Sequence, residues 1–390
     1  MRPIPLSPGD IVTLIDKGIN IVARFREKCA DRLVGKSAEA RALLSLYEFL
    51  REVYYDIPIL TGPDGPFPVG LLPVSAAAAS NADRLSVKLA SEPPSPPVMH
   101  REIVEALRGR GELLETLCRS SAPLSVSDLP ARERALGTFG SPRDCLTSGG
   151  GVDAVIGVST LVVYARQSSY WMLCDVRSDR VAEYGALYHV VPSFIYQPVT
   201  ATTAPNLSIE QGLVHNIYRE YLEELFRIPE VEKVGKPVTP DFFYHHPNLA
   251  LLRELEKGKA ELSATAVVFN LLNHRPEVCT VLIIRDEAWF QRQKETTGKN
   301  QDQLRPLNWN DEFLANEAQT AETHLKFVTT LPLDSPQWCD VAKPGHMVPP
   351  GAPALVLGAK RAAEILGIGE PEWLRQYHID EARDEPSGLS

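Results

Sequence analysis

The chain has 390 residues, of which 44% are apolar and 23% charged, an ordinary globular balance with room for two or three cores. Its net charge of −10 argues against broad binding to nucleic acid or an anionic membrane. Phosphate contacts need clustered Lys and Arg, and the basic runs here are isolated pairs such as Lys360-Arg361. Six scattered cysteines, with no CxxC pair and no zinc-finger spacing of histidines, predict reduced thiols in a cytoplasmic setting. The opening "MRPIPLSPGDIVTLIDKG" is broken by Pro, Asp and Lys, and no stretch reaches about 18 continuous apolar residues, so an untargeted soluble protein is expected.

Helix periodicity comes first in chain order. In "DIVTLIDKGINIVARFREKCADRL" and "AEARALLSLYEFLREVYY" apolar residues recur three and four apart, which predicts two packed helices over residues 9–57. "TGPDGPFPVG" reads as turns. Residues 74–98, rich in Pro, Ser and Ala, read as a flexible segment. A further helix is predicted over "REIVEALRGRGELLETLC", making residues 1–150 a mainly helical region. The Ser-, Pro- and Gly-rich stretch 119–151 marks a domain boundary near residue 150. Its end, "LTSGGG", lacks the Lys-Ser/Thr of a phosphate loop and reads as a linker.

Beyond the boundary the pattern changes to strands. "AVIGVSTLVVYAR" and "SYWMLCDVRS" are β-branched and aromatic runs around the polar Gln167-Ser168, which predicts a hairpin. "ALYHVV" reads as another strand, followed by a loop from Pro192 to about Asn206 and then a helix. "ATAVVFNLL" and "VCTVLIIRD" predict two strands separated by "NHRPE", "HLKFVTTLPL" predicts one more, and "GAPALVLGAKRAAEIL" predicts a closing helix. Strands interleaved with helices give an α/β or α+β domain over residues 151–378, with a disordered acidic tail over 379–390. Cys174 and Cys279, inside apolar runs, read as core residues.

The helix after the Pro192 loop carries the chemistry. Ser208 followed by Gln211 is a capping-box signature, and Pro229 stops the helix soon after Phe226. Val214, Ile217, Tyr218, Tyr221, Leu222 and Leu225 form its apolar face. Glu220, Glu223 and Glu224, at i, i+3 and i+4, fall together on the opposite side, where like charges repel by a few tenths of a kcal/mol per pair unless something positive is held between them. Two readings stay open: a solvated acidic face, or a seat for Mg²⁺, which favours oxygen ligands from a few carboxylates. Arg219 is placed to pair with Glu223 at i+4.

"REYLEEL", Arg219 to Leu225, resembles the core of the Nudix hydrolase signature G-x5-E-x7-R-E-U-x-E-E-x-G-U, where U is a bulky aliphatic residue. Arg219, Glu220, Glu223 and Glu224 fall on its Arg and its three core Glu positions, and the order of strand, Pro-led loop and helix also matches. The resemblance spans roughly residues 152–375. It implies a mixed-sheet α/β/α sandwich in which these glutamates hold Mg²⁺ or Mn²⁺ against a diphosphate and the arginine orients them. The box is degenerate: the upstream Glu falls on Gln211, its Gly on Pro205, the closing Gly on Phe226, and Ser193-Phe194 replaces the usual Gly-Gly after Pro192. "YHVVPSFIYQPVT" is also similar to Nudix-like domains joined to regulatory domains in bacterial multidomain proteins.

Under this resemblance the expected activity is Mg²⁺- or Mn²⁺-dependent hydrolysis of a nucleoside diphosphate linked to another group. Arg177 and Arg180 are candidates to hold substrate phosphate, with His189 beside them at a strand end. Glu183, Glu256, Glu261 and Asp286 are candidate general bases, and nothing in the sequence chooses among them. The alternative is an inactive module that senses a nucleotide or binds protein, with the N-terminal region as a surface for a partner or a second copy. His215, one turn before Arg219, reads as an exposed helix residue, and His245-His246 as loop histidines without a ligand-like carboxylate spacing.

Overall fold

A computed structural model describes residues 51–72, 133–134, 136–137, 141–148, 156–177, 187–196, 212–226, 228, 242–271, 274–295, 328–344 and 346–382. The predicted helices before residue 51, the 74–98 segment, the helix predicted over residues 101–118, the Ser208–Gln211 cap and the Gly149–Gly151 run lie outside these residues.

Strands β1 (Ile59–Gly62) and β2 (Gly65–Leu72) form a hairpin, followed by the short helix α1 (Pro142–Ser148). The predicted hairpin appears as β3 (Gly157–Arg166) and β4 (Ser169–Val176). Its turn residues Gln167 and Ser168 sit at φ 53° and 60°, the left-handed pair that matches the twist of two-residue hairpins. Then come β5 (Tyr188–Val190), β6 (Ser193–Ile195), α2 (Leu213–Phe226) and α3 (Pro247–Leu255), followed by β7 (Ala260–Asn270), β8 (Arg275–Ile284) and α4 (Trp289–Glu295). The chain closes with β9 (Val328–Pro332), α5 (Trp338–Val341), α6 (Gly351–Leu366), a 3₁₀ turn (Glu372–Gln376) and β10 (His378–Asp380). Helix α6 covers the sixteen residues that its apolar periodicity predicts and ends at Gly367 in the left-handed cap conformation, φ 64°.

The strands make one mixed sheet in the order β10-β1-β2-β7-β8-β3-β4-β5, with β6 added to β3 and β9 to β4. The β3–β8 pairing is parallel; the neighbouring pairs β3–β4 and β7–β8 are antiparallel. Alternation along the strands divides the apolar residues between two faces. Leu161, Val163, Met172, Cys174, Val281 and Ile283 pack under α6. Val162, Tyr164, Leu173, Leu282 and Ile284 pack under α2, α3 and α4. Cys174 and Cys279 are buried core residues as predicted.

Several expectations change: α1 lies within the 119–151 stretch read as a boundary, and β6 within the loop read from Pro192. The stretch read only as turns, "TGPDGPFPVG", contains most of the β1–β2 hairpin, because Pro66 and Pro68 occupy a strand whose partners are met elsewhere in the sheet. Since β2 pairs with β7, residues before position 150 share a sheet with those after it. Ile379 and Asp380, placed at the start of a disordered tail, join His378 in pairing with β1, and Asp380 meets Thr61 Oγ1 (2.7 Å) and Arg51 (3.2 Å).

Candidate functional site

Helix α2 is buried all round. Its apolar residues Tyr218, Tyr221, Leu222 and Leu225 lie against the sheet, and the polar side is equally enclosed: exposure is 5% at Arg219, 9% at Glu220, 4% at Glu223 and 2% at Glu224. The solvated-face reading therefore fails. Buried carboxylates need a cation or hydrogen-bond donors, and both are present. Arg219 reaches Glu220 at 2.7 Å and Glu223 at 3.0 Å, the second being the predicted i,i+4 pair. Glu224 accepts a 2.7 Å hydrogen bond from the backbone N–H of Ser193, the first residue of β6.

A second group surrounds the same helix. His215 is buried, contrary to expectation, 3.0 Å from the Tyr244 hydroxyl and against the Phe243 ring. Burial, helped by the Arg219 charge one turn away, lowers its pKa to about 4, so the ring is neutral at pH 7. Tyr218 donates to Glu256, which makes Glu256 the one candidate base that the described contacts tie to α2. Glu261 instead pairs with Arg285 at 2.8 Å, and Asp286 with Arg292 and Lys259. His246 is a helix cap: its Nδ1 accepts from Asn248 N at the start of α3. Arg180 and Glu183 lie outside the described residues.

His189 and Arg177 meet at the β4–β5 edge. The Arg177 N–H extends the ladder to Leu187 O (2.9 Å), and burial together with the Arg177 charge holds His189 well below the ordinary histidine range. His189 is the register partner of Asp175, a residue the sequence reading passed over. Asp175 Oδ1 accepts from Val176 N at 2.7 Å, while Oδ2 has no hydrogen-bond partner among the described residues. Burial raises its pKa from 3.8 to about 8, which leaves a neutral acid inside the sheet. Its signal was an Asp inside the otherwise apolar "YWMLCDV". The sequence reading also missed Glu277, which accepts from Ser159 Oγ across the parallel β3–β8 pair and lies over Gly157.

Mg²⁺ or Mn²⁺ at α2 would need its three carboxylates to converge. They diverge instead, Glu220 and Glu223 toward Arg219 and Glu224 toward Ser193. Among the described residues no group of three His, Cys, Asp or Glu side chains is placed to hold a metal ion. This arrangement does not fit the expected metal seat. No helix among the described residues is long and apolar enough to cross a membrane. No family model matches the chain, and no curated protein matches it.

Proposed function

We propose that the mixed sheet and the helices on its two faces form a Nudix-like domain that binds a nucleoside diphosphate-type ligand as a sensing or regulatory module. Support for the family comes from the order of β5, Pro192 turn and α2, from helices on both faces of a mixed sheet, and from Arg219, Glu220, Glu223 and Glu224 standing together on one helix. The observation that favours binding over turnover is the internal engagement of the carboxylates with Arg219 and the Ser193 N–H. The four described cysteines are free, which fits a reducing cytoplasm.

The second reading is a metal-dependent phosphohydrolase, favoured by the complete Arg-Glu-Glu-Glu set; it requires Glu220, Glu223 and Glu224 to turn away from their present partners. One experiment separates the two. Thermal midpoints are measured with ADP-ribose, nucleoside triphosphates and nucleoside diphosphate sugars, with and without Mg²⁺ or Mn²⁺. Hydrolysis is screened on the same panel with wild type and Glu223→Gln/Glu224→Gln. A module that binds nucleotide gains about 2.7 kcal/mol at a ligand concentration one hundred times Kd, a rise of several degrees, with no turnover. Metal-dependent turnover lost in the double variant would establish the enzyme. Neither shift nor turnover would leave a protein-interaction domain.

A further inference from the structure

We infer that the outer edge of β10 pairs with the same edge of a second copy of this chain, in an antiparallel ladder centred on Ile379. The strand lies at the end of the sheet beside β1, and its other side meets no strand among the described residues. Such an edge presents unpaired N–H and C=O groups, which native proteins cover or blunt. Here it also carries an apolar side chain. Ile379 is 43% exposed and Ile368 is 41% exposed, the two large apolar side chains left exposed among the described residues. Both belong to the segment after α6, and Lys360 ties that helix to it: Nζ donates to Tyr377 O at 3.2 Å and pairs with Glu370 at 3.6 Å.

Register selects the occupant. Ile379 stands opposite Leu60, and directly opposed residues share a face of the sheet. Leu60 is 1% exposed and belongs to the core under α6, so Ile379 extends an apolar row past the point where its cover ends. A second copy laid antiparallel on this edge sets Ile379 against its own counterpart and carries the row across the junction. On the other face His378 Nε2 lies 3.3 Å from Asp380 Oδ1, and Asp380 is held by Thr61 Oγ1 and Arg51. Across the two-fold axis each His378 then stands opposite an Asp380. The neighbouring symmetric registers lose this match: centring on Asp380 opposes two carboxylates, and centring on His378 opposes two imidazoles. Unlike groups directly opposite support a strand pair and like charges weaken it. The strand is therefore complementary to itself in one register, which is what a two-fold interface requires.

The test is sedimentation of the full chain over a concentration series from about 1 to 100 μM, with Ile379→Lys alongside and circular dichroism to check its fold. Wild type associates to a dimer. Ile379→Lys lowers the association constant by at least about tenfold, because it removes the apolar row and opposes two ammonium groups. A wild type that stays monomeric throughout overturns the inference and leaves this edge to a different protein; a wild-type dimer that Ile379→Lys does not weaken overturns it by placing the interface elsewhere. Should Ile379→Lys not fold, oxidative cross-linking with copper phenanthroline decides. Directly opposed Cβ atoms stand about 4.5–5.5 Å apart, near disulfide reach, whereas residue 378 and its copy stand a diagonal step of about 7–8 Å apart. Ile379→Cys links into a covalent dimer faster than His378→Cys and faster than wild type, whose own cysteines set the background. A His378→Cys rate that equals or exceeds that of Ile379→Cys, or an Ile379→Cys rate no higher than wild type, overturns the register and the inference with it.

Discussion

Replacing Asp175 by Asn separates burial of a carboxyl from burial of a charge. Asp175 is 0% exposed, and its pKa stands near 8 because desolvation outweighs the Val176 N–H bond. In the unfolded chain it titrates near 3.8. Between those values the folded state binds a proton that the unfolded state does not, so stability falls as pH rises, by about 1.4 kcal/mol per pH unit for this one group. The stability is fully present below about pH 4 and is lost by about pH 8. From pH 5 to pH 8 the loss amounts to about 4 kcal/mol, a large part of a typical folding free energy of about 5–15 kcal/mol. Asn cannot ionise and keeps an oxygen for Val176 N–H, at the cost of an amide group in the place of Oδ2. Urea unfolding of wild type and Asp175→Asn is followed at pH 5, 6, 7, 8 and 9. The stability difference should move in favour of Asn by about 1.4 kcal/mol per unit up to pH 8 and then level off. A difference that stays constant from pH 5 to 8 would mean that Asp175 is ionised in the fold, and would refute the account of a neutral buried acid.

Arg219→Met leaves Glu220 and Glu223 enclosed without the cation between them; the cost expected in denaturant unfolding is about 3–5 kcal/mol, and a change below about 1 kcal/mol would show that solvent already screens them. Gly157→Ala places a methyl group 2.5 Å from Glu277 Oε2, so a loss of about 1–3 kcal/mol is expected, relieved in the double variant Gly157→Ala/Glu277→Gly. His215 should stay neutral through pH 5 in an NMR titration of its ring. Its folded pKa is depressed, so its contribution is present above the ordinary value of 6.5 and is lost as pH falls toward 4; a midpoint near 6.5 would contradict its burial. Tyr218→Phe removes the donor to Glu256 and should lower stability by about 1 kcal/mol, measured by the same unfolding assay.

What the sequence revealed and what it hid divide by the range of the forces involved. Apolar periodicity is local, and it located α6, the β3–β4 hairpin and the β7–β8 pair because each carries its own pattern and turn residues. The pairing of β1 with β10 joins Ile59 to Asp380; its strands are short, and no local pattern announces a partner so distant along the chain. At α2 the sequence correctly brought Arg219 and three glutamates onto one side, and gave the Arg219–Glu223 pair. It left the environment open between a solvated face and a metal seat, since a charged helix side is ordinarily solvated and burial depends on what the rest of the chain lays over it. The partner of Glu224 was hidden for a different reason. The donor is a backbone N–H, present at every residue except proline and so invisible in residue identity. What selects Ser193 is its place in the alternation of β6, one residue after Pro192. A signature that matches Arg219, Glu220, Glu223 and Glu224 fixes which side chains share a helix. Whether those side chains hold a ligand or hold the fold is decided by the strand beside them.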